Sequence, residues 1–255
     1  MILTKNNIKN FKDWYCNIDQ YGGLGLFIKY KGWTSMDLVA KLRKLSKIKK
    51  VGHCGTLDPL ADGLMIVAFG KATKKLNEFS NLSKRYLATI KFGAKTASFD
   101  SEMPEFDIIN IDDLNEAKIL DTLKEFKGTI LQKPPIYSAK SYKGKKLYKF
   151  IREKNTLDID SIEEIREIKK NEIEIHEISL INFHDGIALV DVRCSAGTYI
   201  RTLADDIGQR LGCGAYLMDL TRTGIGDYHL EQAISVDEFE TLISQENELQ
   251  KSGIV

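Results

Sequence analysis

The stretch LMIVAFG, residues 64–70, constrains the chain most: an apolar run of strand length, closed by glycine, that has to lodge in a core. It is fed by VGHCGTLDPLADG, residues 51–63, where Gly52, Gly55 and Gly63 crowd a short segment. Such crowding suits a backbone that takes unusual dihedrals or lets another molecule come close. Pro59 biases Asp58 towards extended backbone and stiffens the loop around it. Asp before Pro is also a common turn starter, so a plain surface turn is the bland reading. A carboxylate on a rigid loop feeding a core, next to the apolar Leu57, is more often functional or tightly hydrogen-bonded.

Elsewhere the patterns alternate between strand and helix. GLGLFIKYKGWTS predicts a strand through Phe27 to Tyr30, a turn, and a helix capped by Thr34 or Ser35 with Leu38, Val39, Leu42 and Leu45 on its apolar face. KATKKLNEF reads as a helix. YLATIKFG alternates, so Tyr86, Ala88, Ile90 and Phe92 share one side of a strand. A helix is expected at about 113–126, closed by Gly128. NEIEIHEISLINF and GIALVDVRC predict two strands around a turn at His184-Asp185-Gly186. In the helix after SAGTY, Ile200, Leu203, Ala204, Ile207 and Leu211 form one apolar stripe. Arg201 lies in its first turn, against the helix dipole, so an anion is expected to compensate. Ser235 and Glu238 have the spacing of a capping box for a last short helix.

With 255 residues, 43% of them apolar, the chain can bury a sizeable core. A formal charge of +1 asks for no polyanion on average, but the charges are segregated. Eight basic residues and one acid lie between Lys29 and Lys50, and seven and one between Lys140 and Lys154, which permits a basic face. QKPPIYSAKSYKGKKLYKFIR, residues 132–152, interleaves tyrosines and lysines. That composition fits either a solvated loop or a surface that pairs with phosphates and stacks on bases. Cys16, Cys54, Cys194 and Cys213 form no CxxC pair, so reduced thiols in a cytoplasmic protein are expected. His53 beside Cys54 lacks a second half-site for zinc, and no metal is expected. No apolar run approaches membrane-spanning length.

Four motifs in order, GHCGTLDPLADG, KRYLATIKFG, KGTILQKPPIYSA and SAGTYIRTLADDIG, resemble the TruB family of tRNA pseudouridine synthases over about residues 27–234. The resemblance implies an α/β (α+β) pseudouridine synthase fold: a central mixed, mainly antiparallel sheet flanked by helices, with a thumb insertion at about 134–160. An N-terminal extension (1–24), a catalytic domain (25–234) and a short C-terminal helix and tail (235–255) are expected, without the C-terminal RNA-binding domain of many members. It further implies isomerisation of the T-loop uridine at position 55 of tRNA to pseudouridine, without cofactor. The partner is the tRNA T-arm stem-loop, and a monomer with no obligatory protein partner is expected. The catalytic residues are then Asp58, Tyr86 and Arg201, and His53 helps take the place of the displaced base. Gly55, Thr56, Leu57, Tyr199 and Leu220 are expected to contact the substrate. So are Lys84, Lys140, Lys143, Lys145, Lys146 and Arg152.

The chemistry asks for such residues. The bond from ribose to N1 of uracil breaks, the base turns while held, and a bond to C5 forms, with no redox change. A carboxylate serves as nucleophile towards the sugar or takes a proton from it, and must be ionised for either. A guanidinium within reach of Asp58, the role given to Arg201, keeps it so. Tyr86 can stack on uracil, and the target nucleotide must leave its stack, at a cost of roughly a few kcal/mol. The chain departs from the family pattern at Tyr30 (commonly proline), Cys54 (alanine), Asp62 (threonine), Ser141 and Ala196 (both lysine). Asp62 thus adds a second acid near Asp58, facing either solvent or cleft. An RNA chaperone with incidental catalysis and a guide-RNA-dependent enzyme on ribosomal RNA are the competing expectations.

Overall fold

A computed structural model describes residues 2–135, 141–142, 145–146 and 170–251. The chain divides into two compact units, one of residues 1–86 with 220–255 and one of residues 87–219. The architecture is mixed α/β with mainly antiparallel strand pairing.

In the first unit the apolar run becomes the strand β4, Asp62–Phe69. It pairs antiparallel with β2, Gly23–Lys29, from Gly23↔Phe69 to Lys29↔Gly63, and with β3, Val51–Cys54. Thr221 and Arg222 pair parallel with its first residues, Asp62 and Gly63. Flanked on both edges, β4 has residues 64–69 fully buried, as a strand without polar positions requires. The strand β1, Ile2–Leu3, extends β2 in parallel.

The helix α1, Phe11–Tyr21, buries Phe11, Trp14 and Ile18 at i, i+3 and i+7. Its aromatics meet Phe69 and Phe239, the latter on the helix Val236–Lys251 and T-stacked on Phe27 at 5.1 Å. The helix α2, Ser35–Ser46, starts at a Thr34/Asp37 capping box, and the final helix at the Ser235/Glu238 box, with bonds of 2.7 and 3.0 Å. That final helix is sixteen residues long rather than short. KATKKLNEF is not one helix either: a 3-10 turn, Gly70–Lys75, precedes the brief α3, Leu76–Ser80. Gly70 takes φ +59° and gives its N–H to the carbonyl of Lys50 at 2.7 Å, which diverts it from an α-helical start.

In the second unit the strand β5, Lys84–Phe92, which begins in the first, buries Ala88, Ile90 and Phe92 on one side as its alternation requires. The helix α4 runs from Glu116 to Glu125, three residues inside its expected start because Asn115 caps it. The strands Asn171–His184 and Ile187–Cys194 form the expected hairpin, turning through Asp185 (φ +48°) and Gly186 (φ +73°), a pair that matches the twist of the flanking strands. Asn171–Ile175 also pair with Gly128–Gln132. The helix Ile200–Leu211 ends at Gly212 in the left-handed region, and the strand Ala215–Ile225 follows. The four cysteines form no disulfide. No described helix is long and apolar enough to cross a membrane.

Candidate active site

The Asp58 loop is pinned through its backbone. Ser35, in the first turn of α2 and buried, accepts a hydrogen bond from the Leu57 N–H (2.8 Å) and donates one to the Leu57 carbonyl (3.0 Å). The Pro59 carbonyl accepts from Gly32 N–H at 2.8 Å, and the Asp58 carbonyl from Ala61 N–H at 3.1 Å. Leu57 is 3% exposed, so its side chain anchors the loop while that of Asp58 is only half-buried. Loop and core therefore hold the residues on both sides of Asp58 in place. Ser35→Ala should strand the buried Leu57 N–H and carbonyl, costing about 1–3 kcal/mol. Urea melts would measure that loss, and turnover should fall with it because the carboxylate is less well held.

A second clasp comes from Arg222, 1% exposed on the strand Ala215–Ile225. Its Nε donates to the Leu64 carbonyl (2.8 Å) and its Nη2 to the Gly55 carbonyl (3.3 Å), so one side chain ties both ends of the loop. Gly63 is needed for this approach. Its φ is +112°, and a Cβ there would stand 2.4 Å from the Arg222 carbonyl oxygen.

Lys29, counted above with the basic face, is fully buried instead. Its Nζ donates to the carbonyls of Trp33 (2.6 Å) and Tyr30 (3.1 Å). Burial brings its pKa down to about 8, partly offset by the charges of Asp62 and Asp58 and reinforced by Arg222. Asp62, half-buried, is thus part of a charge cluster with Lys29 rather than a solvent-facing extra. Lys84 is also turned inward: it is 7% exposed, and its Nζ lies 2.6 Å from the carbonyls of Ser80 and Leu82. Lys84 is one of the residues expected to contact the substrate. Its ammonium reaches the last residue of α3 and the turn after it.

His53, half-buried on β3, has its pKa held below the ordinary imidazole value by burial and by the charge of Arg222, against a smaller opposing effect of the Gly55 backbone. A histidine depressed in the folded state adds stability above its unfolded value of about 6.5 and loses it as pH falls. His53→Gln should therefore flatten the fall in melting temperature below about pH 6.5. An unchanged slope would count against it. Of the other expected residues in this unit, Tyr86 (8% exposed) and Leu220 (5%) are buried, and Gly55 and Thr56 are exposed.

The second unit carries Tyr199 and Arg201. Gln132, 1% exposed, clasps the Tyr199 backbone with both ends of its amide: Nε2 donates to the carbonyl (3.0 Å) and Oε1 accepts the N–H (2.8 Å). That fixes the entry to the helix on which Arg201, itself 6% exposed, occupies the first turn. Its Nη1 donates to Asp100 Oδ2 at 3.2 Å and to the Ser98 carbonyl at 3.3 Å. Asp100, 1% exposed, also accepts from the Ser98 hydroxyl and from the Glu102 N–H at 3.0 Å. The anion called for by an arginine at a helix start is thus present as Asp100, a residue that no sequence pattern singles out.

Lys140, Lys143 and Arg152 lie outside the described residues, as does most of the expected thumb. Lys145 and Lys146 pair as a short strand with Ser141–Tyr142. Of the departures, Tyr30 gives its hydroxyl to Asp237 (3.1 Å), and Cys54 is buried. Ala196 lines an open pocket of about 670 Å³ with Gly197, Leu131 and Lys170.

Comparison with known proteins adds to this geometry. A family model described as TruB family pseudouridylate synthase (N terminal domain) matches residues 43–200. One described as tRNA pseudouridylate synthase B C-terminal domain matches residues 201–252, so Arg201 opens the second match. Among relatives, a tRNA pseudouridine synthase B from Chloroherpeton thalassium is 40% identical over 217 residues, covering 84% of this chain and 87% of that one. Another from Parabacteroides distasonis is 42% identical over 230 residues, covering 88% and 94%. Of solved structures, a Cbf5-Nop10-Gar1 complex aligns with TM-score 0.68 at 26% identity, over 94% of this chain and 59% of that one. An H/ACA RNP bound to a substrate RNA containing 2'-deoxyuridine gives 0.65 at 25%, over 93% and 57%. The chain thus spans less than three fifths of those longer chains.

Proposed function

The chain belongs to the TruB family of pseudouridylate synthases, and from that premise we propose that it isomerises the T-loop uridine at position 55 of tRNA with Asp58 as the catalytic carboxylate. It is an isomerase, and relatives named as tRNA enzymes at about 40% identity over most of their length make tRNA its substrate. The observation that carries the residue assignment is the pinned loop: Ser35, Gly32, Ala61 and Arg222 hold the backbone of residues 55–64, so Asp58 presents its carboxylate from a fixed base.

The reaction then runs on the protein's own groups. The carboxylate attacks C1' of the ribose as N1 departs, or takes the proton from C2'; both need it ionised and aimed within a fraction of an ångström. The uracil turns while held, and C5 bonds to C1' as the carboxylate leaves C1' or gives the proton back to C2'; the proton on C5 is then lost to solvent and N1 takes one up. Arg201 is proposed as the guanidinium that keeps Asp58 charged, Tyr86 as the surface on which the base turns, and His53, largely neutral at pH 7, as the side chain that occupies the vacated stack. Leu220, Leu57, Gly55, Thr56 and Tyr199 are proposed to line the nucleotide's path.

The test is an unmodified tRNA transcript incubated with the protein alone, beside a transcript whose T-loop uridine is replaced by cytidine. One pseudouridine in the first and none in the second is the expected outcome. Equal conversion of the two would overturn the assignment to position 55, and a requirement for added guide RNA would overturn the stand-alone reading.

A further inference from the structure

Two basic runs that are apart in sequence converge at one end of β4. Arg43 and Lys44 close α2, and Lys47, Lys49 and Lys50 follow it; Lys71, Lys74 and Lys75 lie on the Gly70–Lys75 turn. Val51 is the meeting point. It pairs with Phe69, its carbonyl accepts from Arg43 Nη2 at 3.4 Å, and the neighbouring Lys50 carbonyl accepts from Gly70 N–H at 2.7 Å. The turn lies against β3, since a Cβ on Gly52 would reach Leu76 Cδ1 at 3.1 Å and Thr73 Cγ2 at 3.9 Å.

All eight of these cations are exposed, and none forms an ion pair among the described residues. Lysines elsewhere do find acids: Lys41 with Glu240, Lys91 with Glu105, Lys95 with Asp107 and Lys124 with Asp121. From residue 38 to residue 80 the acids are Asp58, Asp62 and Glu78 alone. The dipole of α2 accounts for a cation in its last turn, which covers Arg43 and Lys44. Lys49, Lys50 and Lys71 lie outside any last turn, Lys47 is one cation more than the end of α2 needs, and Lys74 and Lys75 close a 3-10 turn that runs straight into α3 and so has no free end. In a chain of formal charge +1, concentrating them costs self-repulsion that a bound polyanion would repay.

We propose that these six lysines form a phosphate-binding surface for the part of the tRNA helix that lies beyond the T-arm hairpin, roughly seven base pairs from the target loop. This rests on the tRNA reading above and adds where the rest of the substrate lies. Asp62 and Phe69 are the two ends of β4, and at about 3.3 Å per residue the strand puts the lysine surface roughly 20 Å from the end of the Asp58 loop, where Asp62 begins the strand. Phosphates of the target nucleotide and its immediate neighbours cannot span that distance. Phosphates along an A-form RNA helix, at about 3 Å of rise per step, reach it after roughly seven base pairs.

The experiment changes all six lysines to glutamine and compares wild type and variant on a full-length tRNA transcript and on an isolated T-arm hairpin. For the full-length tRNA, affinity should fall at least tenfold at moderate salt. The log-log salt slope should shrink by several units, about 0.7–0.9 for each phosphate that is no longer neutralised. Turnover of the hairpin should be unchanged, which also reports that the variant is folded. Identical affinity and slope for the two proteins on full-length tRNA would overturn the proposal. An equal loss on both RNAs would overturn it too. A wild type that binds tRNA with a steep salt slope yet makes no pseudouridine would sink the catalytic reading and leave the binding comparison intact.

Discussion

Arg201→Met is expected to destabilise the protein by about 3–5 kcal/mol, because it leaves the buried Asp100 carboxylate without its cation. In a chain of this size that is a drop in melting temperature of roughly 10 °C, and pseudouridine formation should be lost as well. Those two losses have separate origins, and Asp100→Leu added to Arg201→Met separates them. With both charges gone the buried site is apolar, and such replacements are often neutral or stabilising. The double variant should regain most of the melting temperature and stay inactive, because the guanidinium proposed to act on Asp58 is still missing. A double variant that recovers stability and turnover together would make Arg201 a structural residue only.

The pair also shows what a sequence can and cannot disclose. Arg201 is conspicuous, a cation placed against a helix dipole, and that local misfit is enough to call for an anion. Its partner lies 101 positions away, and no periodicity marks a single aspartate in SFDSE as that anion. The same division runs through the molecule. The Thr34/Asp37 and Ser235/Glu238 boxes, the Asp185-Gly186 turn and the alternation of Tyr86 to Phe92 are legible because each is a pattern over two to seven neighbouring residues. Lys29 looks like one more surface lysine, and only the strands around β2 reveal it as buried. Lys84 follows the same course. Ser35 reads as a helix cap, yet its hydroxyl holds Leu57, 22 residues on. Arg222 and Gln132 clasp backbone 158 and 67 positions away. The Asp58 loop is visible through its glycines, while the side chains that hold it are not, since their partners are set by tertiary packing rather than by spacing.

Asp58→Asn is the other large effect. The amide keeps the size of the carboxylate but supplies neither a nucleophile for C1' nor a base for the C2' proton. The loop should survive the change, since it is anchored by the backbone of Leu57, Asp58 and Pro59 and by the Leu57 side chain. The expected loss is on the order of 10⁴-fold or more in the rate of conversion, with tRNA affinity and melting temperature retained. An RNA chaperone, by contrast, would keep its effect on tRNA folding in this variant. The most direct measurement is a time course of pseudouridine formation on an unmodified tRNA transcript with enzyme in excess, wild type beside Asp58→Asn, with the modified nucleotide mapped. The expected result is complete conversion of the T-loop uridine by wild type and none by the variant that still binds. Conversion by Asp58→Asn at a rate near that of wild type would contradict the assignment of the catalytic carboxylate.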